Sequence, residues 1–179
     1  MYYALDETKA VEYIRTTPVM DSIFRDCDDL KAVDLAEGNI NLIFRVFSEG
    51  DPQKKSVLIK QALPHSRRYP ELIIPLQRAT LEYEMLELEN KCCPGLVPRV
   101  YHYDGEMFAN IMEDLNHHII MRYGLMKQVR YKNFARHAGV FLARTLFLTS
   151  DLYLQAAEKK EMVARFINPV LCKLYSCIN

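Results

Sequence analysis

Between residues 30 and 60 lie three short runs rich in β-branched and aromatic residues, joined by two tight turns. Leu30 to Leu35 leads into the polar turn Glu37-Gly38-Asn39, and Leu42 to Phe47 leaves it. Ser48-Glu49-Gly50-Asp51-Pro52 then precedes Ser56 to Lys60. Residues of this kind fit a pleated, half-buried surface. Short glycine-bearing turns join antiparallel neighbours. The segment therefore predicts a three-stranded antiparallel meander, and the rest of the chain has to cover it.

The flanking segments supply that cover. A helix is expected from Asp6 to Thr16, with Asp6 as its N-cap and Pro18 as its stop; a short apolar patch follows at Ile23-Phe24. Pro64 and Pro70 bracket a basic loop with Arg67 and Arg68. Pro75 suits the first position of a helix running to Asn90, with Leu76, Ala79, Tyr83 and Leu86 at helical spacing. Cys93-Pro94-Gly95 breaks it. Val97 to Tyr103 and Met107 to Glu113 read as two further strands about an Asp104-Gly105 turn.

The remainder reads as helical. From 131 to 148, Phe134, Ala138, Phe141 and Leu148 form one apolar line, and Ala135, Leu142 and Leu146 a second. A last helix is expected from Leu154 to Phe166, ending before Asn168-Pro169. The expected fold is α+β, a five-stranded antiparallel sheet with one helix inserted after its third strand.

Composition removes several classes of partner. Lysine plus arginine balance aspartate plus glutamate, 23 against 23, so no basic surplus draws nucleic acid or an anionic membrane. No apolar run approaches the roughly 20 residues that span a bilayer, and residues 1–7 lack the pattern of a secretory signal. The five cysteines, Cys27, Cys92, Cys93, Cys172 and Cys177, include no C-x-x-C pair. They read as reduced thiols in the cytoplasm, with no metal site among them.

Lys60 ends an apolar run, where an ammonium is costly unless an anion meets it or its head reaches solvent. The element order is similar to that of protein-kinase-like folds. There a third-strand lysine holds ATP phosphates and a glutamate of the next helix orients it. Glu82 and Glu84 are the candidates. They point about 200° apart on a helix, so only one can face the sheet; Glu82 is favoured and Glu84 is its rival. The first turn, Gly38-Asn39-Ile40-Asn41, stands where a kinase covers the phosphates with backbone N–H groups. Ile111-Met112-Glu113-Asp114-Leu115 stands at the interlobe hinge, where adenine meets the backbone. His117 and His118 read as solvated.

The motifs together resemble the S-methyl-5-thioribose kinase family. The resemblance rests on Glu37-Gly38-Asn39-Ile40-Asn41-Leu42, similar to a D-G-N-L-N loop, and on Ile59 to Pro64, Gly95 to Asp104 and Met112 to Leu115. Phe141 to Phe147, Thr149 to Leu152, Ala164 to Pro169 and Leu171-Cys172-Lys173 extend it over nearly the whole chain. It implies ATP-dependent phosphorylation of 5-methylthioribose at its 1-hydroxyl in methionine salvage. The ATP-binding set would be Gly38, Asn39, Ile40, Asn41, Lys60, Glu113, Asp114 and Leu115.

Residues 1–115 would form the nucleotide-binding lobe and 116–179 the linker and first helices of a second lobe. The family's catalytic aspartate, in an H-G-D-L-H-type loop, and its Mg²⁺-binding D-x-E acids have no counterpart in the sequence. After Lys173 the residues cease to resemble the family. The expectation is a chain that stops short of its catalytic lobe, with no catalytic residue of its own and a sugar pocket only in the longer protein. A homodimer is implied for the full-length family member. The alternatives are a non-catalytic nucleotide-binding or interaction module, or a related kinase acting on choline or aminoglycosides. The Asn39-x-Asn41 loop and the Phe166-to-Lys173 segment argue against the related kinase.

Overall fold

The computed structural model of the chain describes residues 1–35, 38–51 and 53–168. In order, its elements are α1 (Glu7–Arg15), α2 (Pro18–Ile23), β1 (Leu30–Asp34), β2 (Asn41–Ser48), β3 (Ser56–Ala62) and α3 (Arg78–Cys92). They continue with β4 (Val100–Asp104), β5 (Ala109–Glu113), α4 (Met121–Met126), α5 (Phe134–Leu148) and α6 (Ala156–Phe166). The strands form one five-stranded antiparallel sheet in the order β1-β2-β3-β5-β4. This is the α+β arrangement the sequence predicts, with α3 inserted after the third strand. Glu37, Pro169, Leu171, Cys172, Lys173 and Cys177 lie outside the described residues.

Several boundaries differ from expectation, each for a local reason. Asp6 does cap α1, its Oδ1 accepting from Lys9 N–H at 2.8 Å. Pro18, read as a stop, instead opens the extra helix α2, because a proline at the first helical position loses no intrahelical bond. Pro75 does not open α3. Its carbonyl accepts from the Arg78 side chain at 2.8 Å, and the helix begins at Arg78. β4 starts at Val100 rather than Val97. β5 starts at Ala109 rather than Met107, because residues 105–108 form the turn.

The sheet divides the chain into two environments. Residues alternate between its faces, and burial alternates with them along β2 and β3. Phe44, Val46, Val57, Ile59, Ala109 and Ile111 share one face and pack on Ala10, Tyr13, Ile14, Val19 and Phe24 of the N-terminal segment. Gln61, fully buried, holds that segment by accepting from Leu5 N–H and donating to Tyr3 O. One face is therefore a closed core. The opposite face is half open, and α3 crosses part of it. There Asn110 Nδ2 donates to Ala79 O at 3.2 Å, and the Tyr83 and Tyr103 rings stack at 4.8 Å.

α5 lies against α3 along its first apolar line, where Ala138, Phe141 and Leu148 are half-buried. The second line is open to solvent. Cys27, Cys92 and Cys93 are buried and unbonded to one another. No helix among the described residues is long and apolar enough to cross a membrane.

Candidate functional site

Strand register fixes which side chains share the half-open face. Ile43, Lys60 and Asn110 stand side by side across β2, β3 and β5, and Val33, Arg45, Leu58 and Met112 form the next row. A cation therefore projects from a mostly apolar floor. Lys60 Nζ donates to Glu82 Oε1, and both side chains are about one-third exposed, 27% and 33%. A half-buried ammonium needs such a partner. The pairing also fixes where the ammonium points, as a group that grips a polyphosphate must be held.

Glu84, the rival partner, faces elsewhere. It accepts from Arg165 at the end of α6, with Nε–Oε2 at 2.6 Å and a second bond from Nη2. The helical geometry that separates residues two apart explains the division: Glu82 meets the sheet and Glu84 meets α6.

The turn between β1 and β2 is anchored on three sides. Leu63 N–H donates to Ile40 O at 3.1 Å, and Arg67 N–H donates to Asn39 O at 2.6 Å. Arg78 Nη2 donates to Ile40 O and to Asn41 Oδ1, the latter at 3.1 Å. Gly38 has no room for a side chain, since a Cβ there would collide with Asn41 O. Ile40, Asn41, Lys60, Arg78, Leu81 and Glu82 line a cavity of about 330 Å³, together with Phe166 at the end of α6 and Asn168 just beyond it. A second hollow of about 500 Å³ lies on the same sheet face, between Val33, Arg45, Phe47, Lys54, Ser56 and Asn116.

At the end of β5 the three hinge residues behave differently. Asp114 is committed through its side chain: Arg45 Nε donates to Oδ2 at 2.7 Å and Ser56 Oγ donates to the same oxygen at 2.8 Å. Its carboxylate braces the strand end against β2 and β3. Glu113 N–H donates to Arg99 O at 2.8 Å, while Arg99 N–H turns to the Glu113 side chain at 3.1 Å and, among the described residues, leaves the Glu113 carbonyl without a donor. Leu115 O accepts from His118 N–H, and Leu115 N–H finds no acceptor among the described residues. The His117 and His118 rings are exposed and lie 4.2 Å apart.

Two residues of this face escape a reading of the sequence. Arg78 begins α3, where the helix dipole disfavours a cation. Burial pulls its guanidinium below the ordinary arginine range, against the pull of Tyr2 and Glu82. An arginine at a helix start was the available signal. Asn110 is fully buried beside Lys60, and its Oδ1 has no hydrogen-bond partner among the described residues; nothing in the sequence marks it. Among the described residues no three of His, Cys, Asp or Glu converge as metal ligands. The groups present do not by themselves make a Mg²⁺ site.

Comparison with known proteins agrees with the motifs. The chain is 36% identical over 174 residues, 97% of its length, to the methylthioribose kinase of Bacillus cereus strain ATCC 10987. It is equally similar to the methylthioribose kinase of Bacillus thuringiensis strain Al Hakam. In both cases it spans 42% of the relative's length. No family model matches the chain.

Proposed function

We propose that this chain is the nucleotide-positioning part of an S-methyl-5-thioribose kinase, which transfers the γ-phosphoryl of ATP to the sugar's 1-hydroxyl in methionine salvage. The observation that carries the proposal is the Lys60–Glu82 pair on the half-open sheet face, beneath the anchored turn at Gly38–Asn41. Residues 1–115 are the nucleotide lobe, and residues 116–179 begin the second lobe. Lys60 holds the α- and β-phosphates, and the backbone of Gly38, Asn39, Ile40 and Asn41 covers them. The Glu113 carbonyl and the Leu115 N–H meet the adenine edge, while the apolar row with Val33 and Leu58 takes its face. Phosphoryl transfer proceeds through a loose transition state, so positioning and charge neutralisation supply most of the catalysis.

Mg²⁺ would neutralise the phosphates when bound, and no step above depends on a metal held by these residues. The sugar site, the catalytic acid and the metal ligands lie in the longer protein, for which a cytoplasmic homodimer is the expected form. The test is enzymatic. Residues 1–179 alone, with ATP, Mg²⁺ and 5-methylthioribose, should give no sugar-dependent turnover. The same residues, joined to the remaining portion of the Bacillus cereus relative, should phosphorylate the sugar. Turnover by the chain alone would move the chemistry to an acid such as Asp114 or Asp151. An inactive but folded chimera would count against the family function.

A further inference from the structure

Arg78 is only 9% exposed, and among the described residues no carboxylate forms an ion pair with it. A buried cation that no carboxylate contacts is costly; Glu82 attracts this one only from a distance, and it also opposes the dipole of its own helix. What it has instead is carbonyl oxygens: Pro75 O at 2.8 Å from Nη1, with Ile40 O and Asn41 Oδ1 on Nη2. Two of these three acceptors belong to the turn between β1 and β2. The other anchors of that turn, Leu63 and Arg67, come from the chain just beyond β3. Among the described residues, Arg78 alone ties it to α3 by hydrogen bonds.

The position along α3 matters. Arg78 and Glu82 are four residues apart, hence neighbours on one helix face, and Glu82 holds Lys60. The guanidinium therefore joins the covering turn to the helix that aims the lysine. The planar fork of arginine sends Nη1 to Pro75 O while Nη2 meets both turn acceptors, a three-way arrangement that the single nitrogen of lysine does not reproduce.

We propose that Arg78 is a positioning residue: it clips the Ile40–Asn41 end of the turn to α3, so that the turn and the Lys60–Glu82 pair close on a polyphosphate as one unit. The inference rests on the nucleotide reading above and adds a residue to it. It separates two kinds of ligand. A triphosphate uses the clip, whereas a nucleoside without phosphates does not reach it.

The test compares ATP with adenosine on the full chain. Arg78→Met should weaken ATP binding about tenfold, the loss of roughly one charge-assisted contact, and leave adenosine affinity unchanged. In the nucleotide-free protein the same substitution should speed hydrogen exchange at the amides of residues 39–41. Arg78→Lys keeps the charge without the fork, so it should shift both readouts in the same direction by less; it decides the matter if Arg78→Met does not fold. An equal loss for ATP and adenosine, or unchanged exchange in the turn, would overturn the proposal. A parent chain that binds neither ligand would count against the nucleotide reading, and exchange in the turn would then decide the clip by itself.

Discussion

Lys60→Met should weaken ATP binding by about 10- to 100-fold, because a charge-assisted contact is worth roughly 1.5–3 kcal/mol. Methionine keeps most of the length and apolar stem of lysine, so the floor formed with Ile43 and Leu58 stays filled. Only the ammonium is lost. Glu82→Gln provides the comparison: it leaves the cation in place but loosens its aim, so its effect should be smaller than that of Lys60→Met. Calorimetric titration of parent and both variants reads this directly. Equal affinities for parent and Lys60→Met would remove the lysine from the site. A loss for Glu82→Gln exceeding that for Lys60→Met would show that the carboxylate matters for some other reason.

The second large effect concerns association. On α5, Phe134, Leu142, Leu146 and Phe147 are 50%, 56%, 67% and 51% exposed, and Leu152, Tyr153 and Val163 add apolar surface nearby. Burial is worth roughly 25 cal/mol per Å², so several hundred uncovered Å² forfeit several kcal/mol. That is a large share of the ~5–15 kcal/mol by which domains are stable. Apolar patches of this extent promote association. The isolated chain should self-associate with rising concentration and bind an apolar-surface dye. Leu142→Ser with Leu146→Ser should reduce both, without unfolding the sheet, because neither side chain is buried. A monodisperse parent that melts cooperatively and binds no dye would refute this.

The sheet was legible because its signal is local: β-rich runs and short turns suffice to set three of its strands, and period-two burial follows. The second apolar line on α5 was also legible as surplus, since helical spacing shows a stripe wider than one neighbour can cover. Proline was the misleading signal. Pro18 and Pro75 look alike in sequence, yet one opens a helix and the other precedes one, because a proline fixes its own φ and says little about the next residues.

The site was legible in part. Lys60 stood out as a charge at the end of an apolar run. The choice between Glu82 and Glu84 needed the helix rotation, which turns Glu82 to Lys60 and Glu84 to Arg165. Asp114 stood out only as a hinge residue, and the hold of Arg45 and Ser56 on its carboxylate did not show. That contact spans nearly 70 residues of sequence and leaves no trace in any local window. Arg78 and Asn110 were hard to see for the same reason: their partners lie far along the chain, and only the arginine's place at a helix start hinted at one of them.

In the proposed nucleotide site, the phosphates sit against Lys60 on the half-open face. An acyl-phosphate derivative of ATP, which transfers its acyl group to an amine lying beside the phosphates, tests it most directly. Peptide mapping should find the acyl group on Lys60, with labelling suppressed by ATP and not by adenosine. Labelling spread over exposed lysines such as Lys54 and Lys160, unaffected by ATP, would contradict it.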